Sequence, residues 1–248
     1  DRMTINADAV RAGDHIFISN GEHHANVNHN QLLRVSGNHP STKHVDGVDG
    51  RLNSYQEAAR RSRTDWFIAV FAKCQVTPEF KEMLDTWAPD YWQEPKHYIF
   101  HNLNNNNGLS YGHMAPIAYN KRLMLENPGG LDLTLAQKHT TVPITVSTTY
   151  FDLGSYREAW RTAFREVLKL LHYIDNTETP VIEAEHRLWV WEHKENRDNP
   201  WISRGARDAR EYYERCGGDM AWLMMSLEWN WLDQYFKDLY GSTQPSQP

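Results

Sequence analysis

The chain has 248 residues, long enough for one large α/β domain, or one domain with a small appendage, with a sizeable core. A hydrophobic content of 40% and a charged content of 23% exclude disorder for most of its length. The formal net charge of -6 argues against bulk nonspecific nucleic-acid binding and leaves room only for a local basic patch.

In chain order, His15-Ile-Phe-Ile-Ser-Asn20 reads as a first strand that ends in a Ser-Asn-Gly turn signal. Gly21 to Val27 follows as a polar loop, and Asn28 to Val35 as a short helix. Lys43 to Gly50 reads as a brief second strand with glycine exits, and Arg51 to Arg63 as a helix. Trp66 to Phe71 is an apolar run of aromatic and branched side chains, a short buried strand that breaks at Thr77-Pro78. Strand, helix and strand in alternation predict parallel pairing with right-handed crossovers, a Rossmann-like layer.

Tyr91-Trp92 to His101 is a further strand, and Asn102 to Asn107 reads as a polar, flexible loop. Pro143 to Tyr150, rich in Val, Ile and Thr, is another strand. The spacing of Trp160, Phe164, Val167, Leu168 and Leu171 predicts an amphipathic helix over Ser155 to Tyr173. The last third is mainly helical, at Ala206 to Arg215 and Met220 to Tyr240, and Gly241 to Pro248 is a frayed tail.

Cys74 and Cys216 make neither a disulfide framework nor a Cys-x-x-Cys zinc spacing, so a reducing, cytoplasmic setting is expected. No apolar stretch approaches the roughly 20 residues of a membrane span, so no membrane partner is expected. A start at Asp1 rather than Met leaves upstream sequence open. His23, His24, His29, His39 and His44 crowd one loop-rich region without the Glu and helix of a metalloprotease motif, and read as scattered surface histidines. The 10 Trp, 12 Tyr and 13 His suit sugar or base stacking, and suit core and surface cover equally well.

The order of helix, strand and break around Thr64 to Lys73 resembles the nucleotide-binding half of GT-A glycosyltransferases, where a strand runs into an Asp-x-Asp motif. Four stretches extend the likeness: Phe17 to Glu22, His44 to Gly50, Thr64 to Val76 and Trp160-Arg-Thr-Ala-Phe-Arg-Glu-Val-Leu-Lys169. With Asn107-Gly-Leu-Ser-Tyr-Gly112 they resemble a GT-A-like group found largely in bacteriophage and environmental sequences, over about two thirds of the chain. The Asp-x-Asp motif is degenerate here, standing as Phe71-Ala72-Lys73. An Asp-x-Asp pair holds a divalent cation that neutralises the donor's diphosphate, and Phe and Lys cannot hold that metal.

The resemblance implies one GT-A-like domain over 1–248, with a twisted, mostly parallel sheet flanked by helices and a helical C-terminal extension. Residues 1–100 would be the nucleotide-binding half, 101–175 the acceptor and catalytic half, 176–240 the helical part and 241–248 the tail. It implies a glycosyltransferase that uses a nucleotide sugar as co-substrate, and the departure at Phe71-Ala72-Lys73 implies one that needs no metal.

Ser19, Asn20 and Glu22 would bond the base and ribose, or form a plain polar turn. Val48 and Gly50 would let the backbone approach the nucleotide, or simply turn. Lys73 would offset the diphosphate directly, or be a solvent-facing strand end in a chain that has lost catalysis. On the basic stripe Arg157, Arg161, Arg165 and Lys169, Arg161 and Arg165 would hold phosphate and Glu166 would act as base; a salt-bridged exposed face is the alternative. Asp132 and Asp152 are rival bases, and His113 is a candidate in a glycine-flanked turn. The resemblance to phage-type sequences suggests a hydroxymethylated pyrimidine of phage DNA, in a host cytoplasm, as the acceptor; a polysaccharide or a small molecule would serve equally well. A scaffold that binds a nucleotide, glycan or protein without turnover is the competing class, and a transferase with a metal elsewhere a third.

Overall fold

The computed structural model describes residues 13–37, 42–86, 94–150, 156–178, 181–194 and 200–241. His39, Tyr91, Trp92, Asp152 and the expected tail from 242 onward lie outside these residues. The chain divides after Tyr150 into two compact units.

The first unit is built on β1 (His15–Ser19), all five residues of which are buried. Helix α1 (Ala25–Val35) leads to β2 (Thr42–Asp46), and helix α2 (Arg51–Arg61) leads to β3 (Trp66–Phe71). Both strands lie beside β1 and parallel to it, in the register Ser19 to Asp46 and Ile18 to Phe71. The alternation expected from the sequence therefore produces the expected parallel pairs. A two-residue β4 (Gln75–Val76) and helix α3 (Pro78–Thr86) follow, then β5 (His97–Asn104), β6 (Ser110–Tyr111), β7 (Ile117–Asn120), helix α4 (Lys121–Leu125) and β8 (His139–Thr149). The sheet order is β2-β1-β3-β7-β5-β8-β4, with β6 on β5. β1, β2, β3, β5 and β8 share one direction, and β4, β6 and β7 oppose them.

Alternation along the strands feeds two cores. Phe17, Val70, Tyr98 and Phe100 meet Leu32 of α1 and Phe80 of α3 on one face. Ile16, Ile18, Val45, Phe67 and Ile99 meet Ala58 of α2 and Met124 of α4 on the other. Covering both faces is what makes Trp66 to Phe71 read as an unbroken apolar run. β8 pairs with β5 through two register irregularities, one of which spans Pro143, and pairs with β4 only at Ser147 and Thr148.

The asparagine run is the main correction to the sequence reading. Asn102 and Asn104 belong to β5, and Asn102, Asn104, Asn106 and Asn107 are all buried. The Asn102 carboxamide is bonded across the ladder to Thr149 and Ser147, and the oxygen of Asn104 accepts the N–H groups of Asn106 and Asn107, so the run is strand and buried turn and not a flexible loop. The fifth strand also starts at His97, and α1 starts at Ala25.

Buried His97 accepts the N–H of Asn120 at Nδ1 (3.1 Å) and meets Gln137 Oε1 through Nε2 (2.8 Å), which fixes a neutral ring with its proton on Nε2. Burial holds its pKa below the ordinary histidine value.

The second unit is helical in its described residues: α5 (Tyr156–Asp175), α6 (Ile182–His193), α7 (Trp201–Cys216), α8 (Met220–Met225) and α9 (Trp229–Tyr240). Trp160, Phe164, Val167, Leu168 and Leu171 of α5 are buried as their spacing predicts. The stretch expected as one helix from Met220 to Tyr240 is two, broken where Glu228 takes extended backbone (φ -92°, ψ 116°), and buried Ser226 donates to Leu223 O at 2.7 Å just before the break. Gly205 of α7 lies against the Trp160 backbone so closely that a Cβ would stand 2.3 Å from Trp160 O. The Trp160 indole donates to Asp208 Oδ2 at 2.7 Å across the same contact.

Two outcomes are expected. Gly205→Ala forces α5 and α7 apart and costs about 2 kcal/mol or more, read as a lower urea midpoint. His97 resists protonation in the folded chain while the unfolded chain takes a proton up near pH 6.5, so its contribution holds above that pH and is lost as pH falls toward the depressed folded pKa. Thermal midpoints between pH 7.5 and 5 should fall, and His97→Asn should flatten the slope while lowering the baseline.

Candidate functional site

β1, β2 and β3 end side by side, and their connections leave in opposite senses: α1 carries the chain to the neighbour on one side, α2 back over β1 to the neighbour on the other. Strand ends at such a reversal open a crevice at the carboxyl edge of a sheet. Ser19, Asn20 and Glu22 follow β1, Val48 and Gly50 follow β2, and Lys73 follows β3, so the sequence-predicted donor residues of this unit collect along one edge.

Along that edge the face that buries Phe17 turns polar. Ser19 Oγ donates to Asp46 Oδ1 at 2.6 Å and lies 2.6 Å from His44 Nε2. The single hydroxyl proton goes to the carboxylate, so His44 carries its own proton on Nε2. His29 of α1 stacks on Phe17 at 4.8 Å and lies 4.5 Å from the His44 ring. Burial, with His44 beside it, holds the His29 pKa below the usual histidine value. His29 and His44 are thus packed members of the edge and not scattered surface residues. Asp46 and His44 were missed as site residues; His-x-Asp at the end of a strand in register with Ser19 was the available signal.

The exit of β3 is held on three sides. Ala72 N–H donates to Ile18 O (3.0 Å), Cys74 N–H to Phe71 O (2.9 Å), and Asn28 Nδ2 of α1 reaches Ala72 O at 2.7 Å. Half-buried Lys73 rides on this fixed turn. Burial pushes the neighbouring Cys74 thiol up to about 12, so it is no nucleophile at neutral pH.

Glu22 Oε2 accepts the N–H of Asn20 at 2.6 Å and so stabilises the turn itself. Gly47 and Gly50 both take left-handed backbone, φ +69° and +82°, which bends the chain out of β2 and into α2. Val48 packs against the α2-side core.

Asp132 Oδ1 accepts the N–H groups of Thr134 (3.0 Å) and Leu135 (3.1 Å), and Arg51 of α2 donates to the carbonyls of Gly130 and Leu131 just before it. His113 stacks on Tyr111 at 5.9 Å, beside Met114 with φ +57°, in the segment joining β6 to β7.

Glu166, Arg161 and Arg165 belong to α5 in the helical unit. The Arg161 guanidinium lies 3.6 Å over the Trp229 ring and that of Arg165 5.4 Å over it. Glu166 is buried and paired with Lys169 at 3.1 Å, and Arg157 pairs with Asp233 at 3.4 Å. The basic stripe is therefore built into its own unit through stacking and ion pairs.

A divalent cation does not fit the β3 exit. Phe71-Ala72-Lys73 supplies no oxygen-bearing side chain, Ala72 O is engaged by Asn28, and an ammonium replaces a carboxylate.

No protein-family model matches the chain, and no curated protein sequence does. Among solved structures it is similar to the mannosyltransferase PcManGT from Pyrobaculum calidifontis in complex with GDP-Man and Mn2+, at 12% identity and a TM-score of 0.45, covering 93% of this chain and 88% of that one. It is also similar to S. aureus TarS 1-349, at 8% identity and a TM-score of 0.41, covering 89% and 82%. The same TarS fragment in complex with UDP gives 9% identity and a TM-score of 0.38, covering 92% and 93%. Identity at this level transfers no residue role.

Asn28→Ala should leave the Ala72 carbonyl buried without its donor and lower stability by about 1–3 kcal/mol. Urea denaturation checks this, and Asn30→Ala, an exposed neighbour on α1, should stay within about 0.5 kcal/mol of the parent.

Proposed function

We propose that this protein transfers a glycosyl group from a nucleotide-sugar donor to an acceptor hydroxyl, with Lys73 meeting the diphosphate's charge in place of a divalent cation. The observation that carries the reading is that Lys73 stands on a hydrogen-bonded turn at the carboxyl edge, on the same sheet edge as the polar strand ends of β1 and β2. A pre-positioned cation stabilises charge where it develops on the leaving diphosphate without reorganising at that moment. The nucleoside would lie over the exits of β1 and β2, where Ser19, Asn20, Asp46 and Gly50 present side chains and backbone. In the transfer, the acceptor oxygen bonds to the sugar's anomeric carbon as the bond to the diphosphate breaks, and the acceptor's proton passes to a base. Within the sheet unit, Asp132 and His113 are the candidates for that base.

A hydroxymethylated pyrimidine in DNA is the acceptor this reading names first, with a glycan or small molecule as the others. The net charge of -6 sets a limit on the first: DNA would be engaged through a local patch and not through the whole surface.

One observation favours a second reading, nucleotide binding without turnover. Glu22 and Asp132 each accept backbone N–H bonds, and Asp46 accepts the Ser19 hydroxyl.

Calorimetry with nucleoside diphosphates and nucleotide sugars, with and without chelator, tests the proposal. Binding of one base that survives chelator and weakens about tenfold or more in Lys73→Ala is expected. Absence of any nucleotide binding, or binding only with added divalent cation, would overturn it. Product formation that disappears in Asp132→Ala or His113→Ala with donor affinity retained separates the transferase from the binding module.

A further inference from the structure

The buried asparagines at the end of β5 carry a chemistry that the donor site described above does not use. β5 runs in the direction of β1, β2 and β3, so Asn104 lies at the same edge of the sheet, on the face that buries Tyr98 and Phe100 further back. The chain reverses just after it. Asn104 N–H donates to Leu109 O at 2.8 Å, and Gly108 N–H to Asn104 O at 2.7 Å. Asn104 Oδ1 accepts the N–H groups of Asn106 (2.9 Å) and Asn107 (3.4 Å).

These bonds fix the carboxamide's orientation. Its oxygen is committed to the turn, so its nitrogen points away from the turn's backbone. Asn104 is 3% exposed, and its Nδ2 is buried with no hydrogen-bond partner. The adjacent amide shows the contrast: Asn102 Nδ2 donates to Thr149 Oγ1 (2.9 Å) and its Oδ1 accepts from Ser147 Oγ (2.8 Å). A buried donor left unmatched costs free energy that a ligand acceptor recovers, and such a group calls for an explanation.

From these observations we infer that Asn104 Nδ2 donates to a hydroxyl of the transferred sugar. This rests on the reading of the edge as a nucleotide-sugar site. In the sheet order one strand, β7, separates β3 from β5, so the two strands lie two interstrand steps apart, roughly 10 Å, and Lys73 and Asn104 stand at their carboxyl ends. With the diphosphate at Lys73, the group beyond it along the edge is the sugar. A neutral carboxamide donor suits a hydroxyl lone pair, whereas phosphate finds its charge partner at Lys73.

The test compares Asn104→Ser with the parent by calorimetry against UDP, UDP-glucose, UDP-N-acetylglucosamine, GDP and GDP-mannose. Serine keeps an oxygen acceptor for the turn and removes the reaching donor. The expected result is a loss of about tenfold for the bound nucleotide sugar with the affinity for its bare diphosphate unchanged within about twofold. Asn105→Ala, an exposed neighbour in the same turn, should change neither. Equal affinity of parent and Asn104→Ser for the sugar nucleotide would overturn the inference, and so would a parallel loss of both ligands, the signature of a residue that only shapes the turn. Deoxygenated donors on the parent protein ask the same question with no change in fold. One deoxy position should lose about tenfold, and no loss at any position overturns the inference. If neither diphosphate nor nucleotide sugar binds the parent, the donor-site reading fails, and this inference with it; diphosphate binding without sugar discrimination sinks this inference alone.

Discussion

Everything in the sheet unit depends on β1 being covered on all sides. Its five residues are buried, it is bonded to a parallel strand on each side, and its side chains feed both cores. A strand so placed cannot have both its neighbours reached by crossovers over one face without crowding that face. The connections therefore divide, and the division is what opens the carboxyl edge where Ser19, Asp46 and Lys73 gather. The candidate site is in this sense a by-product of satisfying the central strand.

The edge is made specific by a change of side-chain character along one face. Phe17 gives way to Ser19 on β1, and Phe100 to Asn102 and Asn104 on β5. Three of the polar side chains buried this close to an apolar core have explicit partners. Ser19 bonds Asp46, Asn28 bonds Ala72 O, and Asn102 bonds Thr149. The rigidity this confers keeps Lys73 on a turn whose neighbours are fixed by three hydrogen bonds.

How far the sequence could be read depended on whether the pattern was local. Trp66 to Phe71 was legible because burial on both faces leaves an unbroken apolar run, and α5 because its apolar stripe repeats at helical spacing. β7 was not singled out: Ile117 to Asn120 is four residues long and is defined only by antiparallel pairing with β3 and β5. Asn102 was misread since its turn preference is a property of the residue, while its partners are Ser147 and Thr149 across the ladder. Asp46 escaped for the same reason, its partner Ser19 being 27 positions away. The division after Tyr150 was equally hidden, because the resemblance ran through Trp160 to Lys169 without a break.

The irregular pairing around Pro143 has a consequence for the protein in solution. β8 lies near the border of the sheet, and its described residues beyond the short contact with β4 are largely solvent-facing. A proline nitrogen has no hydrogen to give, and the displaced register on either side bends the strand. A second extended chain arriving there would meet neither a straight row of donors nor a constant spacing, which disfavours edge-to-edge pairing along β8.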